Sequence, residues 1–258
     1  DGTGYGNDAT MWGGEFLIAD LKGFERAGHL RPIPLPGGEM AIREPWRTAI
    51  SYLLNASGDD AMDYLKAIGF AERYGRETLE KIITITRAEG LSPFSSGAGR
   101  LFDAVSALIG LCDRNPFEGE AAMALESLIT GETAGDYAFT ITTGECILVD
   151  FAHSILGIVH DVMHCSPRRE ISMKFHNTVS NAILETVTRI SKTSGLTDIV
   201  LSGGTFQNVY LLRKTADLLI SRGMNVYTNT AVPCNDACIS LGQAFLLRER
   251  IRAGDYSV

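Results

Sequence analysis

Short apolar runs at 14–20 and 24–30, set on either side of Lys22-Gly23, predict two strands joined by a turn. The stretch Arg31-Pro32-Ile33-Pro34-Leu35-Pro36 then excludes helix and central strand, because proline removes a donor and fixes φ. From about Ile42 to Arg87 apolar positions recur at helical spacing, with breaks near Asn55–Asp59 and Gly69–Gly75. A loop rich in Gly, Ser and Pro follows to Gly99, then an expected amphipathic helix over Arg100–Leu111 and another ending near Ile129. Residues 137–149 fit a hairpin turning at Thr143-Gly144, and helices are expected over 150–164 and 168–194, split by Ser166-Pro167. The pattern closes as strand–helix–strand–helix over 198–201, 208–221, 224–228 and 239–252.

Strands at both ends around a helical middle point to the α/β class, with one sheet interrupted by a helical insertion. The parts expected are strand hairpins over 1–38, a mainly helical insertion over 39–165 and a βαβα ending over 166–258. The strands at 198–201 and 224–228 should be parallel, joined by a right-handed crossover.

Composition narrows the function classes. A formal charge of −8 without a basic block argues against a nucleic-acid partner, and Arg168-Arg169 reads as a solvated turn. Five cysteines in 258 residues do not make a disulfide framework, so a reducing, cytoplasmic setting is expected. No run approaches the length of a membrane span. The opening Asp1-Gly2-Thr3-Gly4-Tyr5-Gly6 is a turn sequence with nothing ahead of it, so a fragment is expected.

Three glycine-rich turns carry candidate chemistry. "DGTGYG" at 1–6 is either a plain hairpin turn or a nest of N–H groups for a phosphate. "LSGGTFQN" at 201–208 lies between strand and helix; its glycines either turn the chain or let phosphate approach bare backbone at the helix N-terminus. In "AVPCNDACISLGQA" at 231–244, Asn235 or Asp236 can cap the helix and Gly242 can allow close packing. Asp236 also stands where a hard metal would want oxygen, at the carboxyl end of a strand. "HDVMH" places His160 and His164 on one helix face, near His153 and Cys165; a zinc site is chemically possible, a polar helix face the plainer reading. Cys234 and Cys238 read as buried small residues, and no cysteine has a local partner that would make it a nucleophile.

Together the motifs "DGTGYG…WGGEFLIAD…GFERAGHLRPIPLPGG", "SSGAGRLFDAVSALIGL", "FEGEAAMALE", "FHN" and "LSGGTFQN…VPCNDACISLGQA" resemble the carboxy-terminal domain of the hydrogenase maturation carbamoyltransferases, the HypF type. The resemblance implies one lobe of an actin/hexokinase-like (ribonuclease-H-like) ATPase fold carrying a large helical insertion. The facing lobe and upstream domains would lie outside this sequence. It also implies ATP or carbamoyl-adenylate as ligand, a divalent metal, and transfer of the carbamoyl group to the C-terminal cysteine of the partner HypE for cyanide synthesis. Carried over by motif, Gly2, Thr3, Gly203, Gly204 and Asn208 would approach phosphates and sugar. Asp103, Gly119 and Glu120 would surround ribose and adenine, and Asp1 and Asp236 would hold the metal. The family's two metal-binding histidines lie ahead of "DGTGYG" and have no counterpart here; His160 and His164 do not take their place. No catalytic residue is assigned. Antibiotic or nodulation-type O-carbamoyl transfer, tRNA threonylcarbamoyl transfer and a non-catalytic HypE docking module are the alternatives; the charge of −8 speaks against the tRNA reaction.

Overall fold

The computed structural model describes residues 1–131 and 135–254. Positions 132–134 of the expected insertion and 255–258 of the expected ending lie outside the described residues. Strands β1 (Gly4–Tyr5) and β2 (Met11–Trp12) form the first hairpin, and β3 (Glu15–Ala19) and β4 (Phe24–Leu30) the second. The second turn closes where the Asp20 carboxylate accepts the backbone N–H groups of Lys22 and Gly23. β5 (Ile33–Pro34) is a two-residue edge strand, the sheet position that proline tolerates.

Helices α1 (Glu39–Arg43), α2 (Pro45–Ser57), α3 (Ala61–Ala67), α4 (Phe70–Tyr74) and α5 (Arg76–Arg87) follow, broken close to the expected positions. Beyond β6 (Phe94–Ser95) runs α6 (Ala98–Leu108), then α7 (Glu120–Ser127), the hairpin β7 (Thr140–Thr142) and β8 (Ile147–Asp150), α8 (Ala152–Met163) and α9 (Arg168–Ser194). The ending is β9 (Asp198–Leu201), α10 (Val209–Ser221), β10 (Asn225–Thr228) and α11 (Ile239–Ala253), with β9 and β10 parallel as expected.

The expectation of a single sheet needs correction. Among the described residues there are three: β1-β2-β6-β5, β3-β4-β8-β7 and the pair β10-β9. β3 and β9 are not hydrogen-bonded to each other; side chains join their units instead. Phe16 of β3 and Phe206 beyond β9 each pack against both hydrophobic clusters. The larger cluster lies in the helical part and the smaller under β9 and α10.

Helix α6 was expected to be amphipathic, yet every residue from Arg100 to Leu108 is buried. It threads between α2, α7 and α8, so its polar residues Arg100, Asp103 and Ser106 are carried inside with its apolar ones. Arg168 and Arg169 are solvated as expected, but they open α9 instead of forming a turn. Cys234 and Cys238 are half-buried, so their reading as core residues fails too. A Cβ on Gly242 would meet nothing within 4 Å, so that glycine permits no close packing. Helix α11 exposes Ile239, Leu241, Phe245 and Ile251. Among the described residues no helix is long and apolar enough to cross a membrane.

Candidate functional site

The three glycine-rich turns meet at Asp1. Its nitrogen donates to the Gly13 carbonyl, and its own carbonyl accepts from Gly99 N at 3.0 Å. Its carboxylate accepts from the backbone N–H of Gly204. Gly203 N in turn donates to the Cys234 carbonyl at 2.8 Å, which ties in the third turn. Residues more than two hundred positions apart thus share one chain of hydrogen bonds.

The glycines are required here by contact. Gly203 sits at φ 105°, and a Cβ on it would lie 3.3 Å from the Asp1 carboxylate. A Cβ on Gly204 would come 3.0 Å from Asp1 Oδ1. Only bare backbone lets the carboxylate lie against this turn.

Asp236 is released from the capping role that sequence left open. Asn235 caps only the short 3-10 turn Asp236–Cys238 that leads into α11, its Oδ1 accepting from Ala237 N at 3.2 Å, and α11 itself has no side-chain cap. The Asp236 charge lies close enough to act on the Asp1 nitrogen, as do Glu15 and Arg100. The two carboxylates are oxygen donors of the kind a hard divalent cation takes. Among the described residues no group of three His, Cys, Asp or Glu side chains is placed to hold a metal ion.

A second, buried group of polar residues stands over Gly2. Arg100 Nη2 lies 2.9 Å from Asp103 Oδ2, and Asn115 Nδ2 donates to Asp103 Oδ1 at 3.2 Å. The Arg100–Asp103 contact is an ion pair rather than an aligned hydrogen bond, since Asp103 Oδ2 has no hydrogen-bond partner. Burial pushes the Asp103 carboxyl up, with Arg100 pulling the other way. Gly119, at φ 83°, opens α7, and Glu120 occupies its first turn with Oε2 buried and unpartnered. Arg100 Nε and Nη1 are likewise buried without partners. Buried polar atoms left so are costly, and they mark where a ligand or water would be satisfied.

Asn208 is placed differently from the other candidates. It is 8 % exposed, its Oδ1 caps α10 through Leu211 N, and its Nδ2 faces His176. Val209 N donates to Glu126 Oε1, so the N-terminus of α10 is occupied by protein groups, not open to phosphate as expected. A short 3-10 turn, Gly204–Gln207, intervenes between the glycines and that helix. The His160 and His164 rings stack on each other at 4.1 Å on the exposed side of α8 instead of converging on a metal, and His153 contacts Thr140.

Sequence reasoning missed the residues that hold the turns in place. Glu15 accepts from Gly13 N, Ser96 Oγ and Arg26, while Arg26 also pairs with Asp8 and lies over the Trp12 ring. The signal was present in "GGEF" and "FER", but the pairing is long-range.

His176 is fully buried, and burial drops its pKa to about 4. The folded state therefore takes up a proton later than the unfolded chain, whose histidine titrates near 6.5. Its contribution to stability is complete above that value and is lost as pH falls toward 4. We expect urea unfolding to show a decline on the order of 3 kcal/mol across that window, and His176→Phe to flatten it.

A family model described as carbamoyltransferase, Kae1-like domain, second subdomain, matches residues 1–243. The chain is 36% identical over 268 residues to the carbamoyltransferase HypF of Synechocystis sp., covering 99% of this chain and 34% of that protein. It is 35% identical to carbamoyltransferase HypF of Rhodobacter capsulatus, over 98% of this chain and 32% of that one. The crystal structure of full-length HypF in a phosphate- and nucleotide-bound form superposes with a TM-score of 0.91 at 40% identity, covering 100% of this chain and 40% of that one. HypF of T. kodakarensis gives a TM-score of 0.81 at 27% identity, over 95% of this chain and 32% of that one. The chain spans about a third of the length of these curated relatives.

Proposed function

The chain belongs to the HypF family of carbamoyltransferases, and from that premise we propose that it is the lobe that holds nucleotide and metal while a carbamoyl group passes from carbamoyl-adenylate to the C-terminal cysteine of HypE. The observation that carries this reading is the seating of the Asp1 carboxylate against the bare backbone of Gly203 and Gly204. It is supported by the match to a protein solved with phosphate and nucleotide bound.

In this reading Gly2 and Thr3 offer backbone to the adenylate phosphate, and Asn208 holds the second turn from behind. Gly203 and Gly204 leave the phosphate room instead of donating to it, since their N–H groups are taken by the Cys234 carbonyl and the Asp1 carboxylate. Asp103, Gly119 and Glu120 face ribose and adenine. The orphaned Glu120 oxygen is an acceptor that a hydroxyl would satisfy. Asp1 and Asp236 would supply oxygen to a divalent cation, which when bound would neutralise phosphate charge and ease departure of AMP. In the transfer itself a C–S bond forms as the C–O bond to the phosphate breaks, AMP departs with the bonding pair, and the thiol proton passes to solvent. We place the reaction in the cytoplasm; the absence of a basic block is consistent with a protein, not a nucleic acid, as acceptor.

The test is ATP titration of the intact polypeptide with and without a divalent cation. Binding should strengthen with the cation, and Asp236→Asn should remove that gain while stability shifts by no more than about 0.5 kcal/mol, since the exposed Asp236 side chain caps neither the 3-10 turn nor α11. Cation-independent binding in both proteins would dismiss the metal assignment.

A further inference from the structure

Behind the glycine turn lies a buried polar connection that joins the two halves of the site. His176, on α9, is sealed from solvent and edged by the rings of Phe102, Phe175 and Tyr210 at 5.3, 5.7 and 5.8 Å. Its Nδ1 lies 2.7 Å from the Ser172 carbonyl oxygen, and a carbonyl only accepts. The ring proton is therefore on Nδ1, and Nε2 is a bare acceptor. Asn208 Nδ2 donates to that acceptor at 2.8 Å. The same amide presents its oxygen to Leu211 N at 2.9 Å, so the two contacts fix which way it points.

Further hydrogen bonds extend this connection to α7, whose first turn carries Glu120. Ser172 Oγ donates to the Leu125 carbonyl at 2.7 Å, and Glu126 Oε1 accepts Val209 N at 2.7 Å. The phosphate-side turn and the ribose-side helix are thus braced against one stretch of α9.

We infer that His176 is a positioning residue: through Asn208 it sets the Gly203–Asn208 turn relative to α7, and so the geometry in which nucleotide is held. This deepens the nucleotide reading and rests on it for its functional part. The imidazole works as an acceptor and touches no ligand. Phenylalanine would keep ring packing but leave the Asn208 N–H group buried without a partner, freeing the amide to rotate out of its cap. Serine at position 208 would cap α10 directly and need no acceptor behind it.

The experiment compares the intact polypeptide with His176→Phe, Asn208→Ser and the double variant, by hydrogen exchange of peptides spanning 202–208 and by ATP titration. In His176→Phe, exchange in the turn should quicken about tenfold or more, with α9 peptides little changed and ATP affinity lowered to a similar degree. In the Asn208→Ser background the same substitution should quicken turn exchange by less than about twofold. An unaltered turn in His176→Phe, or an effect undiminished by Asn208→Ser, overturns the inference. Should His176→Phe not fold, the native protein still decides: the Nε2 nitrogen resonance must remain in the unprotonated range from pH 8 to about 5, and a protonated Nε2 there contradicts it. If ATP does not bind the native protein at all, the nucleotide reading fails while exchange still decides the positioning role.

Discussion

Gly97→Ala, at the start of α6, should disrupt the site more severely than a methyl added at Gly203 or Gly204. A Cβ at Gly97 would stand 2.3 Å from the Gly2 carbonyl oxygen and 3.3 Å from its carbon. Neither is the end of a flexible side chain; the segment 1–2 would have to move as a unit. That segment has little room, since a Cβ on Gly99 would already stand 2.8 Å from Gly2 Cα and one on Gly13 would stand 2.5 Å from the Asp1 oxygen. Displacing Gly2 draws the Asp1 carboxylate from Gly204. The expected cost is about 1–3 kcal/mol of stability, as for overpacking elsewhere, together with loss of detectable ATP binding. Gly242→Ala is the contrast. Its Cβ would meet open space in the first turns of α11, where alanine favours helix, so stability should rise by about 0.5–1 kcal/mol. Thermal unfolding of both variants with ATP titration checks the pair, and equal behaviour would mean that backbone proximity does not govern this site.

The second large effect is an absence of turnover. We expect residues 1–258 alone to leave the HypE cysteine unmodified when given carbamoyl-adenylate. The chain spans about a third of its relatives. Its two candidate metal carboxylates have no third His, Cys, Asp or Glu beside them among the described residues. A cation held by so few protein oxygens binds weakly. On the proposed reading, a nucleotide held on one lobe would also remain exposed to water, which would weaken the electrostatic stabilisation that transfer needs. Mass spectrometry of the cysteine would show a carbamoyl adduct if one lobe were enough.

The elements were legible in sequence wherever their signal was local. The second hairpin was marked by Lys22-Gly23, α9 by Ser166-Pro167 at its start, and the closing βαβα by its alternation of short apolar runs with helical spacing. Long-range features were not legible. Nothing in "RLFDAVSAL" reveals that α6 is enclosed on all sides, because burial of Arg100 and Asp103 depends on each other and on Asn115. Nor can periodicity reveal that β3 and β9 belong to different sheets, bridged by Phe16. At the site, the paired glycines were visible, but what lies against them was not: Asp1 comes from the opposite end of the chain. Asn208 shows the same limit, since its N-cap role is written locally while its His176 partner lies on another helix.

The most direct test of the central claim, that nucleotide is held at the Asp1–Gly204 junction, is ATP affinity in Gly204→Val compared with Thr205→Val. Positive φ belongs to Gly203, not Gly204, so backbone strain is not the cause of any difference. A valine at 204 would push its Cβ to 3.0 Å from Asp1 Oδ1 and fill the approach to the turn. The account predicts that Gly204→Val lowers ATP affinity about 100-fold, roughly 3 kcal/mol, while Thr205→Val stays within about threefold of the native protein. Equal affinities in all three proteins would contradict it.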